Sequence, residues 1–249
     1  MVSTRTAVPI LAFDELDSTN SEARRRAEAG EAGPLWITAL RQTAGRGRRG
    51  RSWETGQGNL AATLLMTTER EPRDAAQVSF IAALAVSDLA RAYLSAGRVK
   101  VKWPNDVMVD NRKLAGVLVE SGQRPEGGLW LAIGTGINLL KAPEHAERPA
   151  ITLSAATLTP PPEPRVALEG LAAAFADWLG VWDEKGFAAI AAAWTERAQG
   201  LGQACSVRLP TETIEGVAEG LDNDGALRLR LADGTLKRIT AGDVFFGSA

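Results

Sequence analysis

The stretch Gly45-Arg46-Gly47-Arg48-Arg49-Gly50 bears most directly on the fold class, because it matches the G-x-G-x-x-G pattern of dinucleotide-binding folds. In those folds the glycine-rich turn opens a helix whose N-terminus binds the phosphates. Here the continuation is Arg51-Ser52-Trp53-Glu54-Thr55-Gly56-Gln57-Gly58-Asn59, which is poor helix-forming sequence. The sequence therefore argues against a Rossmann domain and predicts a loop whose glycines let the backbone approach a ligand.

The same loop, the arginine loop (Gly45 to Arg51), is strongly basic, since Arg46, Arg48, Arg49 and Arg51 fall within its seven residues. Guanidinium groups are forked donors suited to phosphate or carboxylate. Four such charges repel one another unless an anion lies among them, so we interpret the segment as an anion-binding loop, mobile when empty, rather than a solvated basic loop. Trp53 beside it offers an aromatic face to a base.

Composition excludes several classes of protein. The chain has 249 residues, 45% of them hydrophobic, and a net charge of −2, which argues against a general nucleic-acid binder. Its one cysteine, Cys205, and one histidine, His145, rule out an internal disulfide, a Cys/His zinc cluster and a Ser-His-Asp triad. We expect no chemical role for His145. No apolar stretch is long enough to span a membrane and no signal peptide is evident, so we expect a cytoplasmic protein without a membrane partner.

Hydrophobic periodicity predicts alternating strands and helices up to about residue 200. A capping-box spacing from Thr19 to Glu22 marks the first helix. The turn Asp110-Asn111 predicts a hairpin. The predicted strands are 11–16, 35–40, 60–66, 99–102, 107–109, 114–119 and 129–133, and the predicted helices are 19–30, 75–96, 153–158, 166–182 and 187–197.

The pattern changes near Gly200, after which only short alternating runs appear. Turns at Asp224-Gly225 and Asp233-Gly234 separate three of them. The runs are 205–209, 213–221, 226–231, 236–239 and 244–246, and they predict a small barrel. We therefore divide the chain into domains at 1–202 and 203–249.

Three further segments carry polar residues beside strand ends. They are Lys102-Trp103-Pro104-Asn105-Asp106, Arg112 to Glu120 with Lys113 at the start of an apolar strand, and Gly134-Thr135-Gly136-Ile137-Asn138. Taken alone, the first is also explained as a turn with a tryptophan anchoring the core, and Lys113 as a surface lysine. The two glycines allow close backbone approach.

Taken together and in this order, with Leu16-Asp17-Ser18-Thr19-Asn20 and Gln42 to Trp53, these segments resemble a bacterial biotin–protein ligase. The resemblance implies an α+β fold: a biotin/lipoate ligase-type catalytic domain with a mixed β-sheet flanked by helices, plus a small C-terminal SH3-like β-barrel. Because only about ten residues precede the first motif, we expect the short form without a winged-helix DNA-binding domain, and no DNA partner. Thr135 departs from the apolar residue that relatives often have there.

The resemblance implies two steps: biotin and ATP give biotinyl-5′-AMP and pyrophosphate, and a lysine of a biotin carboxyl carrier domain then takes the biotin. Mg²⁺ accompanies the ATP, no redox cofactor is needed, and a homodimer is one option beside a monomer. Arg48 and Lys113 are the implied catalytic residues. Asp106 is implied either as a metal ligand or as an orienting group. The implied biotin-site residues are Ser18, Thr19, Asn20, Gln42, Gly45, Arg46, Gly47, Arg48, Lys113 and Gly116; the nucleotide-site residues are Arg51, Trp53, Lys102, Asn105 and Asn138.

Two alternatives remain beside this interpretation. A lipoate–protein ligase has a similar fold and a similar two-step chemistry, although the loop from Gly45 to Trp53 and the segment from Lys102 to Asp106 favour biotin. A nucleic-acid or anion-binding module using the arginine loop belongs to a different class, and one basic loop on an acidic chain argues against it.

Overall fold

A computed structural model describes residues 8–143 and 148–247 of the chain. Most of the first 200 residues build around one seven-stranded sheet. Its strands are β1 (Ile10–Leu16), β2 (Leu35–Gln42), β3 (Leu60–Thr68), β4 (Val99–Lys102), β5 (Asp106–Val109), β6 (Arg112–Gln123) and β7 (Leu129–Ile137). They lie in the order β1-β2-β3-β7-β6-β5-β4.

The sheet is mixed, as predicted: β1 and β2 are parallel, and the remaining neighbours are antiparallel. The two long central strands β6 and β7 pair along their whole length, from Ala115 opposite Ile137 to Gln123 opposite Leu129. The hairpin between β5 and β6 turns at Asp110 and Asn111, both with φ between 50° and 61°. Asparagine and aspartate tolerate this left-handed conformation better than most residues, which is why the turn was predictable.

Helices cover both faces of the sheet. They are α1 (Thr19–Glu28), α2 (Pro72–Ala75), α3 (Val78–Arg91), α4 (Leu153–Ala156), α5 (Pro164–Lys185) and α6 (Phe187–Arg197). Side chains alternate across β2, so Trp36 packs into the large core with α3 and α5, and Ile37 packs with Ala23 of α1 on the other face. Trp36 meets Phe175 of α5 edge to face, with ring centroids 6.1 Å apart.

The last part of the described chain forms a second, five-stranded sheet. Its strands are β8 (Ala204–Arg208), β9 (Thr213–Leu221), β10 (Leu227–Arg230), β11 (Leu236–Ile239) and β12 (Asp243–Phe246), in the order β11-β10-β9-β8-β12. Trp103 is buried and its Nε1 donates to the Gly225 carbonyl at 3.0 Å, so it anchors the β9–β10 turn to the first sheet. The domain boundary at residue 202 stays a prediction.

Several local predictions were wrong in extent. The helix predicted at 75–96 is split into α2 and α3 and ends at Arg91. The capping box is absent: Ser18 is the N-cap, without a side-chain capping bond, and Thr19 lies inside the helix. The strand predicted at 129–133 continues to Ile137, so both glycines of Gly134-Thr135-Gly136 lie within it. No helix in the described residues is long and apolar enough to cross a membrane.

Candidate active site

One cavity of about 470 Å³ opens between α1, the arginine loop, the β6–β7 sheet and β12. This volume lies in the usual range for small-molecule sites. Every site residue predicted above lines it except Gly45 and Lys102: Ser18, Thr19, Asn20, Gln42, Arg46, Gly47, Arg48, Arg51, Trp53, Asn105, Asp106, Lys113, Gly116 and Asn138. Segments far apart in sequence therefore converge on one place. His145 lies outside the described residues.

Three glycines make a floor without side chains. Gly134 and Gly136 lie on the same face of β7, and Gly116 of β6 pairs with Gly136. A Cβ on Gly136 would stand 2.3 Å from Cε2 of Trp53, and one on Gly134 would stand 2.1 Å from Oδ1 of Asn20. Because these glycines have no side chains, Trp53 can lie against Gly136 and Asn20 against Gly134, two residues away along β7.

A connected polar group surrounds Asn20. Thr63 Oγ1, on β3, lies 2.7 Å from Asn20 Oδ1 and 2.8 Å from Thr19 Oγ1. Asn20 Nδ2 donates to Glu120 at 2.8 Å, and Gln42 Oε1 accepts from the Thr19 main chain at 2.8 Å. Thr19, Asn20 and Thr63 are buried. Because the partners fix these side chains, donors and acceptors are held in place for a neutral polar ligand group.

The arginine loop is a narrow turn closed by main-chain bonds. Trp53 N donates to Gly45 O at 2.9 Å, and Gly47 N donates to Arg51 O at 2.8 Å. A Cβ on Gly45 would stand 2.4 Å from the Trp53 carbonyl oxygen. Gly45 therefore allows the two sides of the turn to approach each other, which places it behind the cavity wall.

The sequence predicts an anion among the four loop arginines, and in the structure carboxylates of the chain itself pair with three of them. Asp243 of β12 accepts from Arg49 at 3.1 Å and from Arg51 at 3.2 Å. Burial by itself raises the pKa of the Asp243 carboxyl, but the hydrogen bond and charge of Arg51 outweigh it, so the pKa lies below its ordinary value. Arg46 pairs with Glu120, with 3.4 Å between Nη2 and Oε1. The loop is therefore tied to carboxylates of the chain itself.

Arg48 has no carboxylate partner among the ion pairs of the described residues. Its Nη1 donates to Asn105 Oδ1 at 3.3 Å and to the Gly242 carbonyl at 3.4 Å. Burial, the largest cause, lowers the pKa of its guanidinium below the ordinary value. Asn105 in turn is fixed on β6, because its main-chain oxygen accepts from Val117 N at 2.9 Å. Arg48 is thus a cation held at the cavity by neutral groups.

Asp106 contacts Lys113 directly. The Lys113 Nζ lies 2.6 Å from Asp106 Oδ1 and 5.4 Å from the centroid of the Trp53 ring. Asn138, also buried, reaches back to the same segment, with its main-chain N donating to Leu114 O at 2.9 Å. Of the two roles left open for Asp106, the geometry favours the orienting one. The described residues contain no group of three or more His, Cys, Asp or Glu side chains that could hold a metal ion.

Lys102 is buried beside the cavity and does not line it. Its Nζ lies 5.9 Å from the Phe245 ring centroid and 6.0 Å from that of Phe246, both on β12. Burial lowers the pKa of Lys102 to about 8, with the charge of Arg148 as the next cause. Within the described residues, no carboxylate lies within 4 Å of this ammonium group.

Sequence reasoning missed Arg148 and Asp243, which line the cavity, and Thr63, which contacts Thr19 and Asn20 from behind it. Thr63 is a polar side chain inside an apolar strand, and that was the available signal. Arg148 lies in a proline-rich connection, and Asp243 sits in the second sheet. Only the folded chain brings the last two to the cavity.

Comparison with known proteins gives one consistent result. The model of the biotin/lipoate A/B protein ligase family matches residues 13–138, and that of the biotin protein ligase C-terminal domain matches residues 200–247. A biotin–[acetyl-CoA-carboxylase] ligase of Paracoccus denitrificans is 42% identical over 93% of this chain and 98% of its own length.

Solved structures agree with these matches. A biotin protein ligase from Aquifex aeolicus in complex with biotin and ATP has a TM-score of 0.80 and 26% identity, covering 97% of this chain and 99% of that one. A biotin protein ligase from Leishmania major in complex with biotinyl-5-AMP has a TM-score of 0.67 and 25% identity, covering 94% and 99%. On its sequence, its fold and both family matches, the chain belongs to the biotin protein ligase family.

Proposed function

We propose that this chain joins biotin to ATP in the described cavity, giving biotinyl-5′-AMP and pyrophosphate, and then passes biotin to a lysine of a biotin carboxyl carrier domain. One observation carries the proposal: the uncharged side chains of Thr19, Asn20 and Gln42 and the cationic side chains of Arg48 and Lys113 line the same cavity, whose floor is formed by glycines. Biotin has a neutral ureido ring at one end and a carboxylate at the other, which this order of groups suits.

In the first step a biotin carboxylate oxygen bonds to the α-phosphorus of ATP, and the bond from that phosphorus to the bridging oxygen breaks. Pyrophosphate carries away the electron pair. In the second step the carrier lysine amine attacks the acyl carbon, loses a proton and expels AMP. Neither step needs an enzyme nucleophile, so the chain's work is positioning and charge stabilisation.

Lys113 and Arg48 take the charge-stabilising roles. Asp106 holds the Lys113 ammonium at 2.6 Å, so the amine is oriented before any ligand arrives. Arg48 reaches the cavity from the loop without a carboxylate of its own among the described residues. Donors fixed in advance stabilise developing negative charge without reorganising. Trp53, whose ring lies against Gly136 of the floor, is placed to stack on the adenine.

Mg²⁺ enters this proposal with the nucleotide. Magnesium is usually held by one or two carboxylates and the substrate phosphates. Asp106 and Asp243, the carboxylates paired with cations at this cavity, are engaged by Lys113 and by Arg49 and Arg51 respectively. We therefore assign the ion to the phosphates of ATP rather than to Asp106 or Asp243. A cytoplasmic location and a homodimer stay predictions from the sequence.

Exchange of labelled pyrophosphate into ATP tests the first step. We expect exchange to require biotin and to vanish when biotin is omitted. Lipoate serves as the control acid, because the family model that matches residues 13–138 covers both ligases. Exchange with lipoate and none with biotin would move the chain to the lipoate branch, and exchange with neither acid would end the proposal.

A further inference from the structure

Arg148 stands beside the proposed reaction site on the same main-chain framework as Lys113. The segment that starts at Arg148 runs parallel to the beginning of β6: Lys113 N donates to Pro149 O at 2.8 Å, and Ile151 N donates to Lys113 O at 3.0 Å. The side chain of Arg148 lines the cavity. Its position relative to Lys113 is therefore set by backbone bonds rather than by a mobile surface loop.

The guanidinium of Arg148 packs with its face on an aromatic ring, and two of its nitrogens have no hydrogen-bond partner among the described residues. Its Cζ lies 4.2 Å from the centroid of the Phe245 ring. Its Nη1 lies 3.5 Å from Asp106 Oδ2, a long contact, and its Nε and Nη2 are buried without a hydrogen-bond partner among the described residues. Leaving buried charged donors unpaired is costly, so such donors point to an acceptor that arrives with a ligand.

The charges around Arg148 indicate which kind of ligand group would accept from it. Lys113 and Arg148 share one carboxylate, Asp106, whose two oxygens face them, and the nearby Lys102 has no carboxylate within 4 Å among the described residues. Asp243 is taken by the arginine loop. Consistent with this excess of positive charge, both burial and the charge of Arg148 lower the pKa of Lys102. A single carboxylate would leave the group positive, whereas a chain of phosphates matches both the charge and the forked donors.

We propose that Arg148 is a further nucleotide-binding residue, which binds the phosphate chain of ATP beside Lys113 while Phe245 of β12 keeps its guanidinium plane in place. This inference rests on the proposed function, since ATP is the polyphosphate that the reaction supplies. It also gives the second sheet a part in nucleotide binding, because Phe245 belongs to that sheet.

The test compares Arg148→Gln and Arg148→Lys with the wild type in biotin-dependent pyrophosphate release. We expect Arg148→Gln to raise the KM for ATP at least about tenfold and to leave the KM for biotin within twofold. Arg148→Lys keeps the charge and loses the fork, so its KM for ATP should lie between the two. Arg165→Gln is the matched control, because Arg165 is exposed on α5 and pairs only with Glu169 among its hydrogen-bonded partners in the described chain.

A KM for ATP within twofold of the wild type in Arg148→Gln would overturn the proposal, and so would an equal rise in the KM for biotin. Thermal melting of each variant shows whether it folds, and if Arg148→Gln does not, the KM for ATP of Arg148→Lys decides. Absence of biotin-dependent activity in the wild type would count against the proposed function itself. In that case, calorimetric titration of wild type and Arg148→Lys with pyrophosphate decides the phosphate site: equal affinity would refute it.

Discussion

A single methyl group on the cavity floor tests how Trp53 is placed. Gly136→Ala would put a Cβ 2.3 Å from Cε2, 2.4 Å from Nε1 and 2.6 Å from Cζ2 of Trp53. Ordinary contacts of this kind are about 3.5–4.0 Å, so the ring must rise by more than about 1 Å or swing away. The ring is half-buried, and swinging is the easier escape. We expect the face offered to adenine to be displaced.

The size of the effect follows from what the ring supplies. Stacking of a base on an aromatic side chain contributes about 1–3 kcal/mol, which corresponds to roughly a 5- to 160-fold rise in the KM for ATP. The added methyl group of Gly136→Ala should lower the free energy of unfolding by about 1–3 kcal/mol if the Trp53 ring stays in place, and by less if the ring swings away. Initial rates of biotin-dependent pyrophosphate release against ATP concentration, with denaturant unfolding in parallel, measure both.

A graded series provides the controls. Gly97→Ala adds a methyl group into open space and should leave both measurements unchanged. Gly116→Ala meets Trp53 at 3.3 Å and Lys113 Nζ at 3.2 Å, so its effect should be intermediate. In a double-mutant cycle, Gly136→Ala should add less than twofold to Trp53→Ala, because the ring through which it acts is already gone. If Gly136→Ala leaves the KM for ATP unchanged, or adds its full effect to Trp53→Ala, the reasoning is refuted.

Three further outcomes follow from the site. Asp106→Asn should lower kcat for adenylate formation about 100-fold, because a displaced Lys113 amine costs that much. It should also lower the melting temperature, because it removes the buried carboxylate between Lys113 and Arg148. Lys113→Ala should lower kcat at least as much, and unchanged rates in either variant would remove the pair from catalysis. Bound phosphate should raise the pKa of Lys102 from about 8, so the affinity for ATP should be full below pH 8 and fall as the pH rises above it. In calorimetric titrations Lys102→Gln should flatten this pH profile, and an unchanged profile would contradict the prediction. Asp243→Asn should speed amide exchange in residues 43–53 of the ligand-free protein, since Arg49 and Arg51 lose their carboxylate, and equal exchange would show that Asp243 does not hold the loop.

Local sequence patterns were sufficient where the structure depends on local chemistry. The Asp110-Asn111 turn lies in the conformation that these residue types favour, and α6 occupies the residues predicted for it. Helix ends were less predictable: the alanine-rich run near α3 continues its pattern beyond Arg91, where the helix stops. Composition alone cannot mark such an end, because alanine favours the helix and lacks a capping group.

The site was predictable as a set of motifs, and less so as a set of contacts. Gly134 and Gly136 signalled close approach, yet only the pairing of β6 with β7 identifies Trp53 and Asn20 as the groups that approach. The arginines signalled an anion, but the anion the fold supplies is Asp243, nearly 200 residues away in sequence. Arg148 carried no local signal, since its environment is built from β5, β6 and β12.

Direct observation of the intermediate tests the central claim most simply. The purified protein, incubated with biotin and Mg·ATP without any carrier domain, is analysed by native mass spectrometry while released pyrophosphate is measured in the same sample. We predict one biotinyl-5′-AMP bound per chain with a matching amount of pyrophosphate, and no adduct when lipoate replaces biotin. A folded protein that binds no biotinyl-5′-AMP and releases no biotin-dependent pyrophosphate would contradict the account.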